Sequence, residues 1–405
     1  MMTNPEDDRN DAPITWNSET DEIPAVVRAT DDIPTVIPVV FRGASLPPPL
    51  PVPGPGIIFA FLWCLAFVGV MAVTFTVTML VDFFALASQQ ENPQAWLQEQ
   101  TDIDPGHVVI PDGLARAIRT GMLGAEIGTI LFALIVLRVK VGRDWAKKIA
   151  LQAPSAEHFV IALLSIPAFL IVSGMVSTGL QQLFGGAVED EQMSKALRDI
   201  FAPWPWWLAV LCIGVGPGIG EELWCRGFLG RGLVARYGLV IGIFATSCLF
   251  GAMHGPAPFY ILTTLFMGAC LHLTYYWTRS LWLSMLIHFG NNSFAILLAT
   301  GTLQLPFLGG EKENPSEWVI VTAIILFVSC AYALYATRYV LRPVEEPIGP
   351  VKNPRFTSVE TPPESSQMQL VQASSLGLPL GMVLLAFAGF VLSCWMALPQ
   401  PAANG

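Results

Sequence analysis

Nine apolar blocks, most of them near 20 residues long, run through this 405-residue chain from Ile57 onward. A helix needs about 20 apolar residues to cross roughly 30 Å of hydrocarbon. Inside a bilayer every backbone polar group must also be satisfied by the segment itself or its neighbours. Blocks of this length therefore lead to one fold class, an all-α polytopic transmembrane helical bundle of about nine spans. The chain is 53% hydrophobic and 13% charged, where a soluble domain carries about 25% charged residues.

The blocks read as spans over 57–86, 120–137, 159–184, 204–233, 239–254, 259–277, 281–299, 318–341 and 376–398. Pro167 marks a kink in the third. The fourth is long and holds Gly216-Pro217-Gly218-Ile219-Gly220, so it is expected to bend or break there. Residues 88–119 and 185–202 read as polar connections. Residues 1–55 are polar and then proline-rich (Pro47, Pro48, Pro49, Pro51, Pro53, Pro55). They are expected to form a disordered cytoplasmic tail ending in a stiff linker. No basic n-region precedes the first apolar block, which speaks against a signal peptide. Residues 56–119 make a first span with its loop, 342–374 a polar linker and 375–405 an additional C-terminal span.

Basic residues fall in alternate connections: Arg138, Lys140, Arg143, Lys147 and Lys148, then Arg231 and Arg236, Arg279, and Arg338, Arg342, Lys352 and Arg355. By the positive-inside rule these connections are cytoplasmic, which puts the N-terminus in the cytoplasm and the C-terminus outside. An integral protein of a membrane follows, with a bacterial plasma membrane as the expected location. The net charge of −10 comes without a basic cluster for phosphate, so no nucleic-acid partner is expected. All seven cysteines lie in apolar blocks, as small core residues do, and outline no disulfide framework.

The fourth block carries Glu221, Glu222 and Arg226. Ionisable groups in a bilayer cost about 2.5–3.5 kcal/mol each on insertion scales, so three together call for a use. Residues four apart share a helix face while adjacent ones diverge by about 100°. Glu222 and Arg226 can pair, and Glu221 points elsewhere as a free carboxylate suited to act as a general base. His254 ends the fifth block, and His288 and Asn292 share a face of the seventh. An imidazole and a carboxamide can donate to an oxyanion. Counted from the basic connections at about 1.5 Å per residue, Glu221, His254 and His288 all lie roughly 13–24 Å deep. They could meet in one cavity.

Glu221-Glu222-x-x-x-Arg226, Phe250-x-x-x-His254 and His288-x-x-x-Asn292 together resemble the three-motif pattern of the CAAX-processing and bacteriocin-processing (CPBP, Abi) intramembrane proteases, which include the type II CAAX prenyl endopeptidases. The likeness covers roughly residues 120–300 and implies a protease core over 120–341. It implies Glu221 as the base that activates water, His254 as its orienting partner, His288 and Asn292 as the oxyanion site, and Glu222 and Arg226 as support. It also implies a metal-free, glutamate-dependent peptidase with no cofactor. Zinc held by Glu221, His254 and His288 is the alternative. The implied partners are the lipid bilayer and a protein or peptide substrate; a prenylated C-terminus, a bacteriocin precursor and a membrane-protein loop stay open.

Two other functions compete. One is a non-catalytic membrane scaffold or immunity protein whose Glu/Arg/His cluster only holds helices. The other is a proton-coupled carrier, weakened by the absence of an inverted repeat. His272 matches no motif and reads as structural. Glu126, inside the second block, reads equally as a cavity partner or a helix contact.

Overall fold

The computed structural model describes residues 54–101, 110–308, 315–344, 359 and 368–398. Most of the expected tail over 1–55 and most of the linker over 342–374 lie outside the described residues. Twelve helices follow one another: α1 Ile57–Ala87, α2 Pro93–Thr101, α3 Asp112–Val141, α4 Trp145–Lys148, α5 Ala156–Phe184, α6 Ala187–Phe201, α7 Trp206–Tyr237, α8 Leu239–Ala252, α9 Pro258–Thr278, α10 Leu281–Ala299, α11 Glu317–Ala336 and α12 Gly377–Met396. The class is all-α. Strands β1 Tyr339–Pro343 and β2 Met368–Gln372 form one antiparallel pair, with Tyr339 opposite Gln372 and Pro343 opposite Met368.

Eight of these helices are long and apolar enough to cross a membrane. The fifth expected span, 239–254, is corrected by its length. Helix α8 has 14 residues, about 21 Å of rise, which falls short of the hydrocarbon thickness. Its end at Ala252 sets His254 in the loop that follows. Two connections hold helices and one span ends early. Residues 88–119 hold α2 and the first turns of α3, and residues 185–202 hold the polar helix α6. The span read to 341 stops at Ala336, where the chain turns into β1. Helix α2 supports the start of α3, because the Gln100 side-chain oxygen accepts from the amides of Gly113 and Leu114 at 2.9 and 3.3 Å. It thereby caps two of the orphan donors there.

The expected break in the fourth block is also corrected. Helix α7 is continuous through Gly216-Pro217-Gly218-Ile219-Gly220. A π-helical turn, Leu211–Val215, lies just before Pro217, and a second π-helical stretch, Leu223–Gly230, holds Arg226. The first falls where the missing proline N–H removes a helical hydrogen bond. The glycines serve close approach. A Cβ on Gly218 would sit 3.2 Å from that of Phe289 on α10, and one on Gly216 would sit 2.5 Å from Glu126 Cγ on α3. Gly214 and Gly218 are thus one face pressed to α10, while Gly216 and Gly220 are another pressed to α3. Small residues four apart on two faces let α7 wedge between its neighbours.

Helix α3 repeats the device against α1, where a Cβ on Gly128 would come 2.5 Å from Thr74 Cγ2. Below the wedge Trp224 is fully buried. Its ring stacks on Phe67 of α1 at 4.9 Å and lies 5.3 Å from Phe132 of α3. The largest apolar core therefore surrounds α7. Outward faces stay apolar, with Val240, Leu385 and Ile58 each more than 70% exposed, as side chains facing lipid are. All seven cysteines are free, five of them buried. The chain is an integral membrane protein.

Candidate active site

Helix α7 sets Glu222 and Arg226 one turn apart on its inner face. They meet at 2.7 Å through Glu222 Oε1 and Arg226 Nη1, with side chains 0% and 1% exposed. The second arm of the guanidinium, Nη2, donates to the carbonyl of Gly268 on α9 at 2.9 Å. The guanidinium also lies over the Phe250 ring, 4.8 Å from its centroid. From α10, His288 reaches the same carboxylate: its Nδ1 donates to Glu222 Oε1 at 2.9 Å. One sealed network thus ties α7, α8, α9 and α10 together. Glu222 Oε2 and Arg226 Nε are buried with no hydrogen-bond partner among the described residues, so the pair rests on its Oε1 and Nη contacts.

Glu221 points the other way, as the 100° step demands. Its side chain is 21% exposed. Its Oε2 lies 3.7 Å from His254 Nε2 and 3.8 Å from His288 Nε2. These separations are too long for direct hydrogen bonds, and Oε2 is buried with no hydrogen-bond partner among the described residues.

The tautomers follow from the partners. His254 Nδ1 lies 2.8 Å from the carbonyl oxygen of Phe250, which can only accept, so Nδ1 carries the proton. His288 Nδ1 carries a proton for the same reason, facing the arginine-paired carboxylate. In the neutral ring of either histidine, Nε2 is then a lone-pair acceptor. Three acceptor atoms converge on one point beside α7.

Asn292 follows His288 by one turn and is half-buried. Its Oδ1 accepts from Asn291 Nδ2 at 3.2 Å, which leaves its own amide hydrogens directed elsewhere. All six predicted residues lie on α7, on α10 and in the loop that follows α8. Arg226, Glu222, His288, Glu221 and His254 follow one another with no gap wider than 3.8 Å, and Asn292 stands beside them on the α10 face. Glu126 packs on Gly216, five residues before Glu221. His272 is buried against Gly230.

Two further participants lie outside the six residues expected from the sequence. Phe250 orients His254 through its carbonyl and carries the guanidinium on its ring; its place four residues before His254 was the available signal. Gly268 offers Arg226 a carbonyl and lets α9 come close, since a Cβ there would meet Phe250 at 3.0 Å. An isolated glycine in an apolar block gives no such hint.

Glu221, His254 and His288 are the side chains that would hold zinc. Tetrahedral bonds of about 2.0–2.2 Å bring ligand atoms to about 3.3–3.6 Å apart. The 3.7 and 3.8 Å separations are wider, and among the described residues no group of three His, Cys, Asp or Glu closes into a metal-holding set.

With the geometry in place, comparison with known families gives one finding. Residues 203–294 match the family model described as type II CAAX prenyl endopeptidase Rce1-like. The match supports the CPBP/CAAX protease family, as the three motifs imply. This Rce1-like stretch runs from just before α7 into α10 and contains all six motif residues. It leaves α1 to α6, α11 and α12 outside. No curated protein and no solved structure matches the chain.

Proposed function

We propose that this chain is an intramembrane endopeptidase in which Glu221 activates a water. The observation that carries the reading is the position of Glu221 Oε2 opposite two imidazole nitrogens whose other nitrogens are both tied down. A water bridging Glu221 and His254 would donate a hydrogen to each acceptor and turn its lone pair outward. It attacks the peptide carbonyl; an O–H bond breaks and the new C–O bond forms. The proton goes to Glu221, then to the departing amine nitrogen as the C–N bond breaks. General-base help of this kind contributes about 10²–10⁴ in rate.

The tautomers refine the oxyanion site. Neutral His288 has no hydrogen on Nε2, so its donor role belongs to the imidazolium, which sits between two glutamates. The amide of Asn292 is the neutral donor. The basic edge of the bundle is taken as cytoplasmic, with the scissile bond on that side.

The substrate class is supported by an apolar cavity of about 530 Å³ between α5, α7 and α10, lined by Gly218, Ile219, Trp282, Met285 and Phe289. Gly218 and Ile219 precede Glu221, and Phe289 follows His288. A lipidated or strongly apolar peptide suits such a wall, in keeping with a CAAX-type substrate. The test is cleavage of a farnesylated CAAX peptide by the purified protein in liposomes. Glu221→Gln should abolish cleavage while the protein still folds. Cleavage retained by Glu221→Gln would overturn the reading.

A further inference from the structure

A second polar cavity lies away from the carboxylates, where the N-terminal end of α1, the last turn of α3 and the last turns of α7 meet. It measures about 320 Å³, and Trp63, Lys140, Arg231 and Arg236 line it. Among the described residues, no acidic side chain is part of its wall. Lys140 Nζ stands 5.8 Å from the centroid of the Trp63 ring. Arg236 Nη2 donates to the carbonyl of Gly54 at 3.1 Å. Among the described residues, neither Lys140 nor Arg236 forms an ion pair. Arg231, 8% exposed, lines the inner wall but is engaged in an interaction of its own, so the charges open to a ligand are those of Lys140 and Arg236. At the start of α1, Gly56 makes no side-chain cap and the Tyr237 hydroxyl accepts from the Ile57 amide at 3.2 Å, so the positive end of a 31-residue helix lies on the same rim.

We propose that this cavity binds the phosphate-bearing head group of an anionic phospholipid. Like charges gathered around one hollow repel, and an anion between them removes that cost. Position selects the source of the anion. All three elements end here, and the ends of membrane-spanning helices lie at head-group depth. Below the cations the wall turns apolar through Phe59 and Phe228, and Phe59 is 65% exposed on the outer face of α1. A head group held by the cations could therefore run its acyl chain down α1. Basic pockets between spans recognise lipid head groups by this chemistry. Lipid binding here is independent of the catalytic roles given to Glu221 and its neighbours.

The test uses the full-length protein in nanodiscs of phosphatidylcholine, with and without phosphatidylglycerol, read by native mass spectrometry and thermal unfolding. Phosphatidylglycerol should remain bound and raise the unfolding temperature where phosphatidylcholine does not. The exposed pair Lys140→Gln/Arg236→Gln should weaken retention by roughly 10- to 30-fold, at about one charge interaction per side chain. Lys140→Arg/Arg236→Lys should keep it. Should the neutral pair fail to fold, salt serves on the wild-type protein: the preference should fade as sodium chloride rises. Equal retention of the two lipids, full retention by the neutral pair, or a preference indifferent to salt would overturn the proposal. So would inorganic phosphate giving the whole thermal increment in phosphatidylcholine, since the ligand would then be a free phosphate and not a lipid.

Discussion

Arg226 and Glu222 meet at 2.7 Å with both side chains sealed from solvent, and the arginine spends its second arm on a backbone carbonyl of another helix. Removing the cation leaves a buried carboxylate with only His288 to hold it. Loss of one partner of a buried pair costs about 3–5 kcal/mol. Arg226→Ala should therefore lower the unfolding temperature in detergent by well over the scatter of surface variants. Arg226→Lys should not rescue it, because a single ammonium cannot serve Glu222 and Gly268 in the planar fork that the guanidinium provides. A lysine variant as stable as the wild type would show that the fork is dispensable.

Glu221 and Asn292 should separate from that pair in a kinetic assay. Glu221 Oε2 makes no direct hydrogen bond among the described residues, so Glu221→Gln should leave thermal unfolding near that of the wild type while turnover is lost. Asn292→Ala removes the donor proposed for the oxyanion. It should reduce kcat by about 10²–10³ with KM little changed. Steady-state rates on one apolar peptide, alongside an unfolding curve for each variant, check both. A KM effect alone would make Asn292 a binding residue.

Much of this was legible in the residues. The length of the apolar blocks gave the bundle, and the four-residue spacing gave the Glu222–Arg226 pair and the divergence of Glu221. Some of it was not. Helix α8 and the full spans look alike as apolar runs, and only the fourteen-residue helix of the structure tells them apart. The glycines of α7 could as well have meant a break as a wedge, because a missing side chain signals space without saying which neighbour fills it. The direction of the His288 proton depends on Glu222 lying 66 positions away, a contact no local pattern encodes. Pairing of β1 with β2 joins segments too distant for a hairpin signal.

The wedge of α7 can be tested at its glycines. A methyl group on Gly216 would fall 2.5 Å from Glu126 Cγ, whereas one on Gly174 of α5 meets nothing within 4 Å. Overpacking costs about 1–3 kcal/mol, while a glycine exchanged for alanine in an open helical position gains up to about 1 kcal/mol in propensity. Gly216→Ala should destabilise the protein and depress turnover, because Gly216 lies five residues before Glu221 and Glu126 must move. Gly174→Ala should be neutral or slightly stabilising. Paired thermal unfolding measurements decide it, and equal behaviour of the two would remove close approach as the reason for glycine at 216.

Activity should not depend on zinc. Both histidines have Nδ1 bonded to an oxygen acceptor, an arrangement that also orients imidazoles toward zinc. Orientation alone therefore does not distinguish a water site from a metal site. The gaps of 3.7 and 3.8 Å from Glu221 fall between the roughly 3.3–3.6 Å that separates ligand atoms around zinc and the roughly 4.5 Å that separates two acceptors of one water, so the experiment decides. Prolonged treatment with a zinc chelator should leave the rate of peptide cleavage unchanged, and elemental analysis of the active protein should find zinc far below one ion per chain. Loss of activity on chelation, restored by adding zinc back, would reassign Glu221, His254 and His288 as ligands and transfer the activation of water from the carboxylate to the ion.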